Sequence, residues 1–244
     1  MKKSLVMLIL LASGFFMSCA NNPQLAGVAT EILRQSVGGG ALTQAEIGQG
    51  LKEALRVGTG NVVGQLGAVD GFNADPRIHI PLPDNLLQAR KIAGQLGLSS
   101  AFDDLELKMN RAAEAAAPKA KALFWDAIQQ LTIEDIMAIY RGNNDAATRY
   151  FESRMSTPLI NSMLPVVQQS MAEVGAVRSY DQLVRSMGPA GALLPDYKTQ
   201  LTNHVLQLGT AAIFNYLAEE EAAIRQDPVK RTTQLLQRVF GAVN

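Results

Sequence analysis

Apolar residues recur every three or four positions along almost the whole chain, the period of a helix that buries one face. The pattern predicts a helix over 24–36, ended by Gly38-Gly39-Gly40. Thr43 and Glu46 form a capping box for a helix carrying Ile47, Leu51, Leu55 and Val62 to about Leu66. Asp70-Gly71 marks a turn. Arg77 to Pro83 (RIHIPLP) alternates apolar residues between prolines and is predicted to be extended, with Ile78 and Ile80 inward and His79 pointing away. A helix from Asp84 to about Leu96 follows, closed by Gly97. Next comes a long one capped by Asp103 or Asp104 and running through Leu131, broken near Pro118. Thr132 caps a helix with Ile133, Ile136, Met137 and Tyr140 on one face, stopped by Gly142. Asn144 or Asp145 caps one toward Gly175, interrupted near Pro158 and Pro165. Segments 179–187 and 196–226 are predicted helices on either side of a loop over 188–195. Asp227-Pro228 opens the last helix, ending at Gly241. The expected fold is all-α: one bundle-like domain of about eight or nine helices, with a single extended, proline-flanked segment.

The first nineteen residues carry a different signal. Met1-Lys2-Lys3 is positive, Leu5 to Phe16 is a short apolar run, and the small Ser18 precedes Cys19, the only cysteine. This is the form of a secretory signal peptide over 1–18, leaving 19–244 as one exported domain. A lone cysteine at the cut is the pattern of a bacterial lipoprotein, whose thiol is acylated. The expected anchor is therefore a lipid on Cys19. Ala20 rather than Asp follows it, which places the protein on the periplasmic face of the outer membrane. Cleavage after Ala20 is the alternative; it discards Cys19 and leaves a soluble periplasmic protein.

Removing residues 1–18 takes two lysines and no acid, so 22 basic and 22 acidic residues become 20 and 22. A near-neutral chain without a basic cluster argues against a nucleic-acid partner. Nothing after residue 18 is long and apolar enough to span a membrane. No second cysteine exists for a disulfide, so stability must come from the core. Apolar residues make up 48% and aromatics only 6%, which points to aliphatic packing between helices.

No catalytic, metal or cofactor motif is visible. His79 and His204 have no companion at ligand spacing. Gly58, Gly60 and Gly64 lack the strand and the Lys-Ser/Thr of a phosphate loop, and fit close helix packing instead. Attention moves to charges within apolar helices. The stretch Ala112 to Phe124 is apolar almost all round, hence central. Arg111 and Glu114 open it, so both are expected to be partly buried and paired. Ile213, Leu217, Glu220 and Ile224 fall on one stripe, which predicts a buried Glu220 with Arg111 or Arg231 as its partner. Glu221 and Arg225 are expected to form an exposed pair. Glu220→Ala should then destabilise more than Glu221→Ala.

The segments LKEALRVGTGNVVGQLG (51–67), DGFNADPRIHIPLP (70–83), LELKMNRAAEAAAPKAKALF (105–124), DAATRYF (145–151) and EEEAAIRQDPVKRTTQLLQRVFG (219–241) together resemble a family of bacterial exported proteins, domain of unknown function 4197. The resemblance covers nearly all of the chain beyond the signal. It implies a helical exported protein with a lipoprotein-like start, and neither an activity nor catalytic residues. The expected function is a membrane-tethered, non-enzymatic binding or envelope-assembly factor. The alternatives are a carrier of an apolar ligand such as a lipid, and an enzyme using buried carboxylates such as Glu114 and Glu220.

Overall fold

The computed structural model describes residues 41–95, 99–193 and 198–241. The predicted signal, Cys19, the helix over 24–36 and the glycines that end it lie outside these residues. Among the described residues the fold is all-α, with no strand. The helices are α1 Gln44–Leu66, α2 Asp84–Gly94, α3 Ser99–Ala116, α4 Ala120–Gln129, α5 Ile133–Arg141, α6 Ala146–Glu173, α7 Ala176–Ser186, α8 Lys198–Gln226 and α9 Gln234–Gly241. Short 3-10 turns stand at Ala117–Lys119, Gly188–Leu193 and Pro228–Lys230.

Local chemistry sets several boundaries. The Thr43–Glu46 capping box is present at the start of α1, and Thr132 with Asp135 makes a second one at the start of α5. Between Ala116 and Ala120 the chain tightens into the 3-10 turn that carries Pro118, splitting the long predicted helix into α3 and α4.

Other boundaries differ from expectation. The long helix starts at Ser99 and not at Asp103 or Asp104. Those carboxylates lie in its second turn and pair sideways, Asp103 with Arg90 and Asp104 with Lys108. Neither proline interrupts α6. Both sit on its exposed side, where water can take the carbonyls they leave unpaired. On α5 the buried residues are Ile136 and Ile139, whereas Ile133 is 64% exposed. Asp227 caps only a single 3-10 turn by accepting from the Val229 N–H. The chain leaves helical geometry at Arg231 before α9 begins.

The core lies where α6 runs along α8 and α1 packs on α8, α4, α5 and α9. Phe124 of α4 is its hub, meeting Phe151 (centroids 6.3 Å) and Phe214 (5.8 Å) edge to face. Ala112, Ala113, Ala116, Ala117 and Ala120 are all buried, so the alanine-rich segment is central. Ala115 and Ala122 are exposed, so it is not apolar all round.

The segment from Gly67 to Pro83 crosses the helices as a strap. It is not extended from Arg77 as expected: residues 76–78 form a turn in which the Ile78 and His79 N–H groups donate to the Asp75 carbonyl (3.2 and 2.8 Å), and the chain is free of turns only over 79–83. Ile78 and Ile80 point in, with Ile80 fully buried. The strap has no neighbouring strand to pair with, and a buried main chain must still be satisfied. Asn110 of α3 does this for Ile80: its Oδ1 accepts from the Ile80 N–H (2.9 Å) and its Nδ2 donates to the Ile80 carbonyl (2.8 Å). His79 does not point away into water. Its Nδ1 donates to the Asn73 carbonyl (2.9 Å), and Nε2 stands 2.8 Å from Glu106.

The strap begins tight against Pro118. A Cβ on Gly67 would meet the Pro118 ring, standing 2.8 Å from its Cδ and 2.8 Å from the Val63 carbonyl oxygen. A proline ring and a backbone carbonyl cannot rotate aside. Gly67→Ala should therefore lower stability by about 1–3 kcal/mol, read as a shifted urea midpoint. An unchanged midpoint would show that the strap entry can relax.

Candidate functional site

The buried charges do not form the single network expected of Arg111, Glu114, Glu220 and Arg231. They form three separate arrangements, the first two tied to main-chain groups.

The deepest is the pair predicted to be exposed. Glu221 and Arg225 of α8 have side chains 8% and 7% exposed, with Glu221 Oε1 2.9 Å from Arg225 Nη2. The Glu221 carboxylate accepts from the N–H groups of Ala147 and Thr148 and from the Thr148 hydroxyl, all at 2.9 Å. Those groups open α6, whose own cap residue Asp145 makes no side-chain cap bond. A carboxylate from another helix thus caps α6, at the end its dipole makes positive. Arg225 donates to the carbonyls of Ile139 (2.9 Å) and Tyr140 (3.3 Å), at the end of α5. Arg231 donates to the carbonyls of Ile224 (3.1 Å) and Arg225 (2.7 Å), closing α8. Arg231 is buried as a helix cap and is not Glu220's partner.

The second arrangement holds the strap. Arg111 donates to Glu114 (2.7 Å) and to Asp70 (2.7 Å), and Glu114 accepts from the N–H groups of Phe72 (3.2 Å) and Asn73 (3.1 Å). Glu114 is buried and Arg111 half-buried. Asp70 takes positive φ (68°) at the bend, held there by Arg111 and by the Asn73 amide (2.9 Å). The two hydrogen bonds, Asn73 first, lower the Asp70 pKa.

Glu220 belongs to the third, a surface cleft of about 270 Å³ lined by Asn61 and Gln65 of α1, Arg77 of the strap and Tyr216, Glu219 and Glu220 of α8. Glu220 accepts from Asn61 Nδ2 (2.7 Å) and stands 3.6 Å from Lys230. Arg77 lies over the Tyr216 ring (4.7 Å), donates to Glu219 (2.9 Å) and to the Tyr216 hydroxyl, and that hydroxyl donates to Asp75. The Tyr216 hydroxyl, then the Arg77 backbone N–H, hold Asp75 below the usual carboxylate range. Burial, then the hydrogen bond to Asp75, push the Tyr216 phenol up. Its proton is committed to Asp75, which makes it a poor base or nucleophile at neutral pH. The cleft presents a fixed set of charges and hydrogen-bonding groups, suited to recognising a polar ligand. Periodicity singled out Glu220. Asp75, Arg77 and Tyr216 come from segments 139 or more residues apart, so no local spacing could mark them.

The histidines are engaged with protein, His79 as above and His204 by Nε2 on the Pro81 carbonyl (2.9 Å). Among the described residues no three His, Cys, Asp or Glu side chains converge to hold a metal ion. No described helix is long and apolar enough to cross a membrane. Gly58 lies inside α1 with its Cα facing Glu220 and Ile224, a contact of helix packing.

Fold and site define an all-α domain whose buried charges tie helix ends and a strap together, with one polar cleft beside the strap. The chain belongs to the family DUF4197, proteins of unknown function, whose model matches residues 41–241. No curated protein and no solved structure matches it.

Two outcomes follow from this geometry. Glu221→Ala strands a buried guanidinium and uncaps α6, at a cost of about 3–5 kcal/mol. Glu220→Ala removes contacts at the cleft, at about 1 kcal/mol. The order reverses the one drawn from periodicity, and melting of both variants checks it. For Asp75, a lowered folded pKa means stability present above its ordinary value of 3.8 and lost as pH falls through the folded value. Tyr216→Phe removes the main cause. The stability gap between wild type and Tyr216→Phe should be widest near neutrality and narrow as pH falls below about 4. A gap constant from pH 7 to pH 3 would show that the phenol does not hold this carboxylate.

Proposed function

We propose that this protein is an exported, lipid-anchored, non-enzymatic binding factor of the bacterial envelope, tethered through Cys19 at the periplasmic face of the outer membrane. Its recognition surface is the polar cleft between the strap, α1 and α8. One observation carries the non-enzymatic reading: the charged groups in and around the cleft are committed to one another or to the main chain. Asp75, Tyr216, Arg77 and Glu219 form a continuous chain and Glu220 is held by Asn61 and Lys230, while elsewhere Glu114, Glu221 and Arg231 hold backbone groups. A general acid or base needs a proton free to move. A carrier of an apolar ligand is less well supported: the voids beside Phe124 and beside Phe72 hold no more than about a water molecule, and the larger groove between α4 and α6, about 450 Å³, is open to solvent and shares its lining with Asp126, Gln130 and Arg154. The anchor is supported by the sequence from Met1 to Cys19.

The test has two arms. Cells fed labelled palmitate should label the wild-type protein and not Cys19→Ser, and Cys19→Ser should move from the membrane pellet to the soluble fraction. A mature chain beginning at Asn21 would overturn the anchor. Arg77 and Glu219 are both more than half exposed, so Arg77→Ala with Glu219→Ala should leave folding nearly unchanged. That variant should fail to restore envelope integrity to a strain lacking the gene. Full restoration would overturn the cleft as the recognition surface.

A further inference from the structure

On the outer seam of α1 and α4, cations gather without carboxylate partners. Trp125 of α4 is the only tryptophan in the chain. The Arg56 guanidinium of α1 lies 4.8 Å from its ring centroid and the Lys121 ammonium 4.6 Å. The two cations therefore stand within about 10 Å of each other and repel. Lys52, one turn before Arg56, donates to the Gln129 carbonyl at the end of α4 (3.0 Å). None of the three takes part in an ion pair among the described residues. The nearest acid on α4, Asp126, lines the groove that α4 makes with Tyr150 and Arg154 of α6. Glu53 is the acid on the α1 side, and it too makes no such pair. Beyond Arg56 the same face of α1 carries Gly60 and Gly64, where an added Cβ would meet nothing within 4 Å. The seam is thus open, locally cationic and centred on one indole, on a protein that is close to neutral overall.

We propose that this seam is a docking face for an anionic phospholipid surface. The chemistry is complementary. Phosphate headgroups between Arg56 and Lys121 relieve their mutual repulsion over the half-buried indole, whose N–H is turned into the protein; the ring reports on their arrival. For its place in the cell the proposal rests on the tethered reading above. The chain from Cys19 to Leu42 can reach at most about 80 Å, which leaves many faces of the domain able to touch the bilayer. A cationic face selects one of them and leaves the cleft free for its ligand.

The single tryptophan makes the test direct. The processed full chain carrying Cys19→Ser, so that no acyl chain contributes, is titrated with vesicles of phosphatidylglycerol and phosphatidylcholine and with vesicles of phosphatidylcholine alone. Trp125 emission and co-sedimentation are followed together. The mixed vesicles should sediment the protein and shift the emission, and added salt should weaken both. Phosphatidylcholine alone should do neither. Each cation near an anionic surface is worth about fivefold in partitioning, so Arg56→Ala with Lys121→Ala should weaken binding roughly 25-fold. An unchanged melting temperature for that variant assigns the loss to the seam; a variant that melts early is replaced by Arg56→Gln with Lys121→Gln. Undiminished binding by the folded variant would overturn the proposal, as would sedimentation with unshifted emission or no sedimentation at all. An emission shift produced equally by inorganic phosphate would overturn it in favour of a soluble anion. Because the vesicle assay is made without the acyl chain, its failure is distinct from failure of palmitate labelling.

Discussion

Helix ends that are buried inside the molecule must be capped by something, and in this fold the something is charge. Every helix leaves N–H groups at its start and carbonyls at its end without partners in the helix. At the surface water takes them. Where α5 ends and α6 begins they face the core, and Glu221 and Arg225 reach in from α8 to take them, while the pair neutralises itself. Two charged side chains thus join three helices. Each unpaired group would otherwise cost about 1–3 kcal/mol. The buried ion pair owes its place to the main-chain groups it serves, since a buried pair by itself is weak support for stability.

The strap obeys the same constraint in a different form. A strand in a sheet finds its hydrogen bonds in a neighbour. This irregular segment has only helices around it, so side chains of α3 stand in for the missing strand. Asn110 takes both main-chain groups of Ile80, Glu114 takes the N–H groups of Phe72 and Asn73, and Glu106 meets His79 and the Leu82 N–H (3.4 Å). Glu106, Asn110 and Glu114 are spaced by four, one polar column along α3. With the strap so held, Asp75 and Arg77 reach Tyr216, and the cleft exists. The recognition surface is therefore downstream of the way the strap's backbone is satisfied.

Cleft and cationic seam share α1, and they ask different things of their side chains. In the cleft the cations are balanced: Arg77 has Glu219, and Lys230 has Glu220. On the seam Arg56 and Lys121 share only an aromatic ring. A balanced set of charges discriminates among small polar ligands by geometry, whereas unbalanced charge is drawn to an extended anionic surface.

The sequence by itself determined the all-α class, the capping box at Thr43, the cap at Thr132, the turn at Asp70-Gly71, the strap's inward Ile78 and Ile80 and the central alanine-rich segment. Each of these rests on a local period or a local hydrogen bond, and neighbours in sequence are enough to specify it. Local chemistry also paired Arg111 with Glu114, three residues apart. What only tertiary structure decided was which of two adjacent glutamates goes inside. On α8, Leu217 is followed at three and at four residues by Glu220 and Glu221, and a helical stripe accepts either spacing. The choice fell to Glu221 because the start of α6 lies there with bare N–H groups. That contact joins residues 73 and 74 positions apart, beyond the reach of any periodicity. The same reason hid Asn110 and Tyr216: their partners, Ile80 and Asp75, are brought to them by the path of the strap, and folding of the whole chain sets that path.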